Sequence, residues 1–343
     1  MTKEVEKIKN IVPYTFKKEK LSASSIKTFL SCKQNLLLYK TLEAKKEKNF
    51  FKYGTCMHYA LETFYKGEEE SKIDDFIQKE IDDWKQQDII FDEEITELEN
   101  QLINLKNVFN AYKDWSKDVD KGLKVVDTEI SFDLPFEDII LTGRVDLIVE
   151  DEMGGLWGLE HKTAQQFVTE KYETDIQISL YTWALEKIYG KKFEGMIVNL
   201  IRKGAEPLIE VPRLKSGVIS KDKSKLQKVP RDILIKALEE DGEDLNKFAD
   251  ILEKMKHENY FFKRYHATRS NEEIEIFEEY LKGVIKDYKA TTNYYPTPNF
   301  NCSNMCQYYD ICKMYLKGYD YKSVLNELYV VREEDKNEEN NNS

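Results

Sequence analysis

Apolar positions in the first third of the chain recur three and four residues apart. In "SASSIKTFLSCKQNLLLYK", residues 22–40, serines suited to N-capping precede Ile26, Phe29 and Leu30, which predicts a helix carrying Cys32 within it. A second helix is expected around "GTCMHYALETFYKG". A long amphipathic helix is expected over 94–115, where Ile95, Leu98, Leu102, Leu105, Val108, Tyr112 and Trp115 share a face. The texture then changes. "LKVVDTEISFDL", "DIILTGRVDLIVED" and "GGLWGLEHKTA" are β-branched runs separated by the turn sequences "PFED" and "DEMGG", which predicts a three-stranded meander. "DIQISLYTWALEKIYG" reads as a helix closed by Gly190, with further strands at "FEGMIVNLIRKG" and "PLIEVPRL". The middle is therefore expected to run β-β-β-α-β-β. Helices around 231–256 and 271–288 follow, then the proline-bearing "YYPTPNF" and a cluster of cysteines.

Composition narrows the class. With 343 residues, 41% hydrophobic and 34% charged, the chain fits a soluble globular protein of one or two domains. It has no run of eighteen apolar residues, and its charged opening "MTKEVEKIKNIVPY" lacks a secretory apolar stretch, so a cytoplasmic protein without membrane contact is expected. Five cysteines, an odd number, argue for metal ligation or buried thiols rather than a disulfide framework.

The net charge of −12 does not exclude nucleic acid, because phosphate binding depends on local clusters. Acid is concentrated in "GEEESKIDDF", "FDEEITELEN" and a tail over 332–343 expected to be disordered. Residues 213–232 instead carry seven Lys/Arg against two Asp, and Lys215, Lys221, Lys223, Lys225 and Lys228 form a candidate strand-gripping loop. "HENYFFKRYHATR" interleaves aromatics with Arg264 and Arg269, a mixture that suits single-stranded nucleic acid and equally suits a core. Neither stretch has a base-reading motif.

The chemistry centres on "GRVDLIVED" followed by "GLEHKTA". If these strands are neighbours, Asp146 lies near Glu160, and alternation puts Glu160 and Lys162 on one face and His161 on the other. Two carboxylates suit a hard divalent cation, which polarises a phosphate oxygen, and an ammonium beside them offsets developing charge. The same residues also fit a strand-end turn and a solvated cross-strand ion pair. On the next helix Gln177 and Tyr181 share a face, and His58 sits on an earlier helix, where an imidazole beside two acids suits Mn²⁺ as well as Mg²⁺.

Taken in order, "GTCMH", "GRVDLI", "LEHKT" and "QISLY" resemble the RecB-type branch of the PD-(D/E)XK nucleases. The opening "LSASSIKTFLSCKQNLLLYK" and closing "YPTPNFNCSNMCQYYDIC" resemble its iron–sulfur members, such as AddB nuclease domains, CRISPR-associated RecB-like exonucleases and phage exonucleases. The resemblance spans residues 21–313. It implies an α/β restriction-endonuclease-like core, a mixed central sheet flanked by helices, with a helical N-terminal subregion. One domain over 1–331 is expected: a helical subregion at 21–120, the catalytic core at 121–212, a basic loop at 213–232 and C-terminal helices with the cysteine cluster at 233–315.

The resemblance further implies that His58, Asp146, Glu160 and the backbone carbonyl of His161 hold Mg²⁺ or Mn²⁺. Lys162 would be the catalytic lysine, Gln177 and Tyr181 would complete the site, and Glu129 matches a frequent acidic position. Cys32 with Cys302, Cys306 and Cys312 would hold a 4Fe–4S cluster; four thiolates also suit zinc. The family spacing has two residues between the first two late cysteines, where this chain has three. The implied activity is exonucleolytic hydrolysis of single-stranded or frayed DNA in recombination, repair or phage DNA metabolism. The alternatives are a structure-specific endonuclease, a CRISPR-adaptation nuclease or a catalytically silent DNA-binding scaffold. No Gly-x-x-x-x-Gly-Lys-Ser/Thr is present, so a helicase or recombination partner would supply any unwinding.

Overall fold

Ser22 ends a short strand, β1 (Lys20–Ser22), and caps helix α1 (Ala23–Ser31) by accepting the Ser25 N–H at 3.2 Å. In this computed structural model, which describes residues 11–45, 49–86, 91–204, 207–208 and 210–332, the helix does not continue through Cys32. Cys32 is extended (φ −159°, ψ 107°), and a separate helix, α2 (Lys33–Thr41), begins after it. The free Gln34 N–H at the start of α2 is taken by the Tyr295 carbonyl at 3.3 Å, a partner a continuous helix would not need. Strand β2 (Leu42–Ala44) and helices α3 (Asn49–Tyr65), α4 (Ser71–Lys85) and α5 (Asp92–Val119) complete the N-terminal part. The predicted stripe of α5 is buried from Leu98 to Trp115, with Ile95 half-buried at its edge.

The meander forms as expected, as β3 (Lys124–Phe136), β4 (Ile139–Glu150) and β5 (Leu156–Ala164). A 3₁₀ turn at Glu170–Thr174 leads into α6 (Ile176–Tyr189), which ends at a left-handed Gly190 (φ 62°). Strand β6 (Gly195–Arg202) follows. Among the described residues of "PLIEVPRL" no strand forms: Arg213 makes an isolated bridge to Ile219. Its two prolines cannot donate to a ladder, and β7 (Phe262–Thr268) takes the free edge of β6.

Residues 213–232 are also more ordered than a bare basic loop. They contain α7 (Lys223–Leu226), and Ile219, Leu226 and Val229 are buried against α8 (Arg231–Glu240) and α9 (Ala249–His257) in a small core with Leu234, Phe248 and Met255. Helix α10 (Asn271–Ala290), the short α11 (Cys302–Met305), α12 (Tyr309–Leu316), α13 (Tyr321–Leu328) and strand β8 (Tyr329–Val331) close the fold. The tail expected to be disordered lies outside the described residues apart from Arg332.

Among the described residues the central sheet has six strands in mixed order. β3 runs antiparallel along one edge of β4; β1 and β5 share the other, β1 over Ile140–Thr142 and β5 over Leu147–Glu150. β5 then pairs parallel with β6, and β6 antiparallel with β7. Both faces of this sheet are covered, so β6 is an almost continuous buried run. Met196, Val198 and Leu200 pack in one core with α6 and α10, whereas Ile201 packs on the other face with α3 and α5. A separate core joins Leu37, Leu38 and Leu42 to Tyr308, Ile311 and Tyr329, and β2 pairs with β8 above it. The architecture is the mixed α/β sheet flanked by helices that the sequence implies. Among the described residues no helix is long and apolar enough to cross a membrane.

Candidate active site

The pairing of β4 with β5 stops at Leu147 and Leu159. Asp146 and Glu160 are the next residues on either side, so the two strands part where the two carboxylates sit. Parting leaves the His161 N–H without a ladder partner, and a buried N–H must find one. Asp146 Oδ2 accepts it at 2.7 Å. The His58 ring on α3 lies against the same oxygen, with Nδ1 at 3.6 Å.

Glu160 and Lys162 share a face of β5, as alternation requires. Lys162 Nζ donates to Glu160 Oε1 at 2.6 Å, and Gln177 Nε2 on α6 donates to the same oxygen at 2.9 Å. Oε2 of Glu160 is buried with no hydrogen-bond partner among the described residues. Tyr181, one turn after Gln177, lies edge-on to Phe132 with centroids 5.9 Å apart. Gly143 on β4 makes room for both rings: a Cβ there would stand 2.6 Å from Phe132 and 2.9 Å from Tyr181.

The two carboxyls titrate in opposite directions. Burial is the largest influence on each. In Glu160 it is reinforced by the charge of Asp146, and the group is pushed up to about 7. In Asp146 burial is outweighed by the hydrogen bond and charge of His58 and by the His161 backbone N–H, and the group is held down at about 2. Burial would lower Lys162, but Glu160 raises it above its ordinary value, so it stays charged. His58 is raised: the Asp146 hydrogen bond overcomes burial.

His161 faces the other side of the sheet, into a network the sequence does not reveal. Arg264 pairs with Asp120 at 2.5 Å and donates to Asn199 Oδ1 at 3.4 Å; Asn199 Nδ2 donates to His161 Nδ1 at 2.8 Å. Tyr65 and Tyr112 hydroxyls bond to each other at 2.6 Å beside it. Burial pushes His161 down to about 3, so the ring is neutral with its proton on Nε2.

This placement corrects two expected nucleic-acid contacts. Arg264 is committed to Asp120 with its side chain 6% exposed. Arg269, also buried, donates to Ser179 Oγ at 2.9 Å and to the Tyr172 carbonyl at 2.9 Å. The segment was ambiguous because a strand inside a polar core carries the same residue types as a strand-binding surface. Lys215, Lys221, Lys223 and Lys225 are exposed; Lys223 pairs with Asp250, and Lys228 lies over the Tyr260 ring at 4.7 Å. Glu129 lies between the paired Thr128–Leu147 and Ile130–Val145 of β3 and β4, with its backbone at φ 56° and its carboxylate on Arg144 at 2.8 Å.

Cys32, Cys302, Cys306 and Cys312 line one cavity of about 680 Å³ between the α1–α2 break and the α11–α12 segment. The Thr297 and Asn299 N–H groups point at the Cys32 and Cys302 sulfurs, at 3.4 Å and 3.2 Å. Burial and then the nearby thiols push Cys312 up to about 12. Cys56 lies apart, fully buried in the α3–α5 core. Among the described residues no three His, Cys, Asp or Glu side chains are already gathered closely enough to hold an ion.

A mixed sheet flanked by helices, with two acids and a lysine where its central strands part, defines an α/β protein of nuclease type. The model of the PD-(D/E)XK nuclease superfamily matches residues 20–313, and the chain belongs to that superfamily. A crystal structure of SSO0001 is similar over 86% of each chain at 10% identity and a TM-score of 0.32, too low to bear on function. Among curated proteins there is no match.

Proposed function

We propose that the protein is a metal-dependent deoxyribonuclease of the RecB-like branch, acting as an exonuclease on single-stranded or frayed DNA ends. One observation carries this reading: Glu160 is held through Oε1 by Lys162 and Gln177 while Oε2 is buried without a partner among the described residues, within the field of Asp146. A buried carboxylate oxygen without a partner is costly unless something positive meets it. The donor set of Asp146, Glu160, His58 and the His161 carbonyl fits Mg²⁺ or Mn²⁺. A bound divalent ion supplies Lewis-acid polarisation of phosphate and acidifies water. The chain's own part is to hold these groups. Asp146 is fixed by the His161 N–H, and Glu160 by two donors. Lys162 keeps a positive charge beside the attacked phosphate and hands a hydrogen bond to the nucleophilic water. Tyr181 and Phe132 wall the site on the α6 side.

The cysteine-lined cavity supports a second bound group. Gathered thiols oppose one another's ionisation, and a cation removes that conflict. N–H groups aimed at two of the sulfurs suit a 4Fe–4S cluster, whose sulfurs accept such bonds, with zinc the competing occupant. The test is hydrolysis of end-labelled and circular single-stranded DNA with Mg²⁺ or Mn²⁺. Wild type should degrade the linear substrate and spare the circle; Asp146→Ala and Lys162→Ala should be inactive. Wild-type activity in both variants would overturn the site, and cutting of circles would replace end-dependence with endonuclease action.

A further inference from the structure

Lys27 lies on α1, five residues before Cys32, and lines the cysteine cavity. Its ammonium reaches away from that cavity to Asp175, 2.6 Å from Oδ1 and 2.8 Å from Oδ2. Asp175 is the N-cap of α6, and its Oδ1 accepts the Gln177 N–H at 2.7 Å. The Gln177 side chain in turn donates to Glu160 Oε1 at 2.9 Å. An unbroken line of polar contacts therefore runs from α1 through the first turn of α6 to the carboxylate on β5.

The line has no slack. Asp175 has a side chain only 16% exposed, so its charge needs a partner as well as the helix N-terminus it caps. The same turn is held from the opposite side by Arg269, through the Tyr172 carbonyl and Ser179 Oγ. Two cations from separate elements thus fix the one turn that carries Gln177. Free rotation of Asp175 would loosen the cap, and Gln177 would then no longer hold Glu160 to one rotamer.

We infer that Lys27, acting through Asp175, is a positioning residue for the Glu160 carboxylate. The inference rests on the proposed nuclease site. Because misplacing a catalytic group by about 1 Å can cost up to 10²-fold, Lys27→Met should lower kcat about tenfold. KM for DNA should stay unchanged, and the thermal midpoint should fall modestly because Asp175 loses its partner. Mn²⁺ binding to the DNA-free protein, followed by calorimetry, should weaken several-fold. Lys27→Arg should restore both, and Asp175→Asn, which keeps a capping oxygen, should mimic Lys27→Met. The double variant should be no worse than either single one. Wild-type kcat and Mn²⁺ binding in Lys27→Met, while Lys162→Ala is inactive, would overturn the inference and leave the nuclease reading standing. Loss confined to thermal stability, or additive effects in the double variant, would overturn it too. Activity retained in Lys162→Ala would instead sink the site itself.

Discussion

Asp146 accepts the backbone N–H of His161 at 2.7 Å, at the point where β4 and β5 cease to pair. A side chain here replaces a missing rung of the sheet. The same carboxylate thus has a structural debt to β5 and a chemical part in the site.

Substitutions at Asp146 should separate the two. Asp146→Asn keeps an oxygen acceptor for the His161 N–H and should retain most stability while abolishing DNA hydrolysis. Asp146→Ala should abolish activity and also destabilise by about 1–3 kcal/mol, the usual cost of leaving a buried N–H unsatisfied. Urea denaturation alongside the nuclease assay distinguishes them.

The raised Glu160 makes metal-free stability depend on pH. Its pKa rises from 4.5 to about 7 on folding, so the folded chain holds a proton that the unfolded chain has released. Stability should therefore fall as pH rises through that window. Asp146, lowered from 3.8 to about 2, works the other way and only in more acid solution, where stability falls as pH falls. His161, lowered from 6.5 to about 3, opposes this below pH 6.5 in wild type and variant alike, so in chelator the change in Tm from pH 5.5 to pH 8 should be more negative in wild type than in Glu160→Gln. Added Mg²⁺ should raise Tm more at pH 8. Scanning calorimetry at two pH values reads both effects.

Arg264 and the exposed lysines should behave as different classes. Arg264→Met leaves Asp120, 27% exposed, to the Tyr65 hydroxyl and removes the donors to Asn199 and Tyr112, and should cost about 1–3 kcal/mol of stability. Replacing Lys215, Lys221 and Lys225 by Glu should leave Tm nearly unchanged, weaken DNA binding and flatten its salt dependence. Fluorescence anisotropy across a salt series is the measurement.

The cysteine cavity predicts colour. Anaerobically purified protein should be brown with broad visible absorbance and should contain iron. Cys306→Ser should bleach it and lower Tm, because binding energy at the cavity is folding energy. Cys56→Ser, in a separate core, should keep full metal content. A colourless wild-type protein containing zinc would replace the iron–sulfur cluster.

What the sequence disclosed follows from what periodicity encodes. The α5 stripe and the alternation of Glu160, His161 and Lys162 are local patterns, and both appear in the structure where they were read. The break at Cys32 is not legible locally, because the Tyr295 carbonyl that takes the Gln34 N–H at the start of α2 lies far along the chain. Arg264 looked like a surface cation because its partner, Asp120, is equally remote in sequence. Lys27 and Asp175 gave no signal, since a lysine on a short helix and an aspartate at an N-cap are ordinary alone. Gly143 was quoted in the motif, but only the crowding of Phe132 and Tyr181 explains it.

Among the described residues strand β2 pairs with β8, Leu42 opposite Val331, and Leu37 and Leu38 share a core with Tyr308, Ile311 and Tyr329. During synthesis on the ribosome these early leucines must wait for the 289 positions from Leu42 to Val331 to be made, on the order of 15–60 s at ordinary elongation speeds. A nascent chain with such a late closing step is a natural client for holdase chaperones. Its yield should respond to translation rate more than the finished protein's stability would suggest.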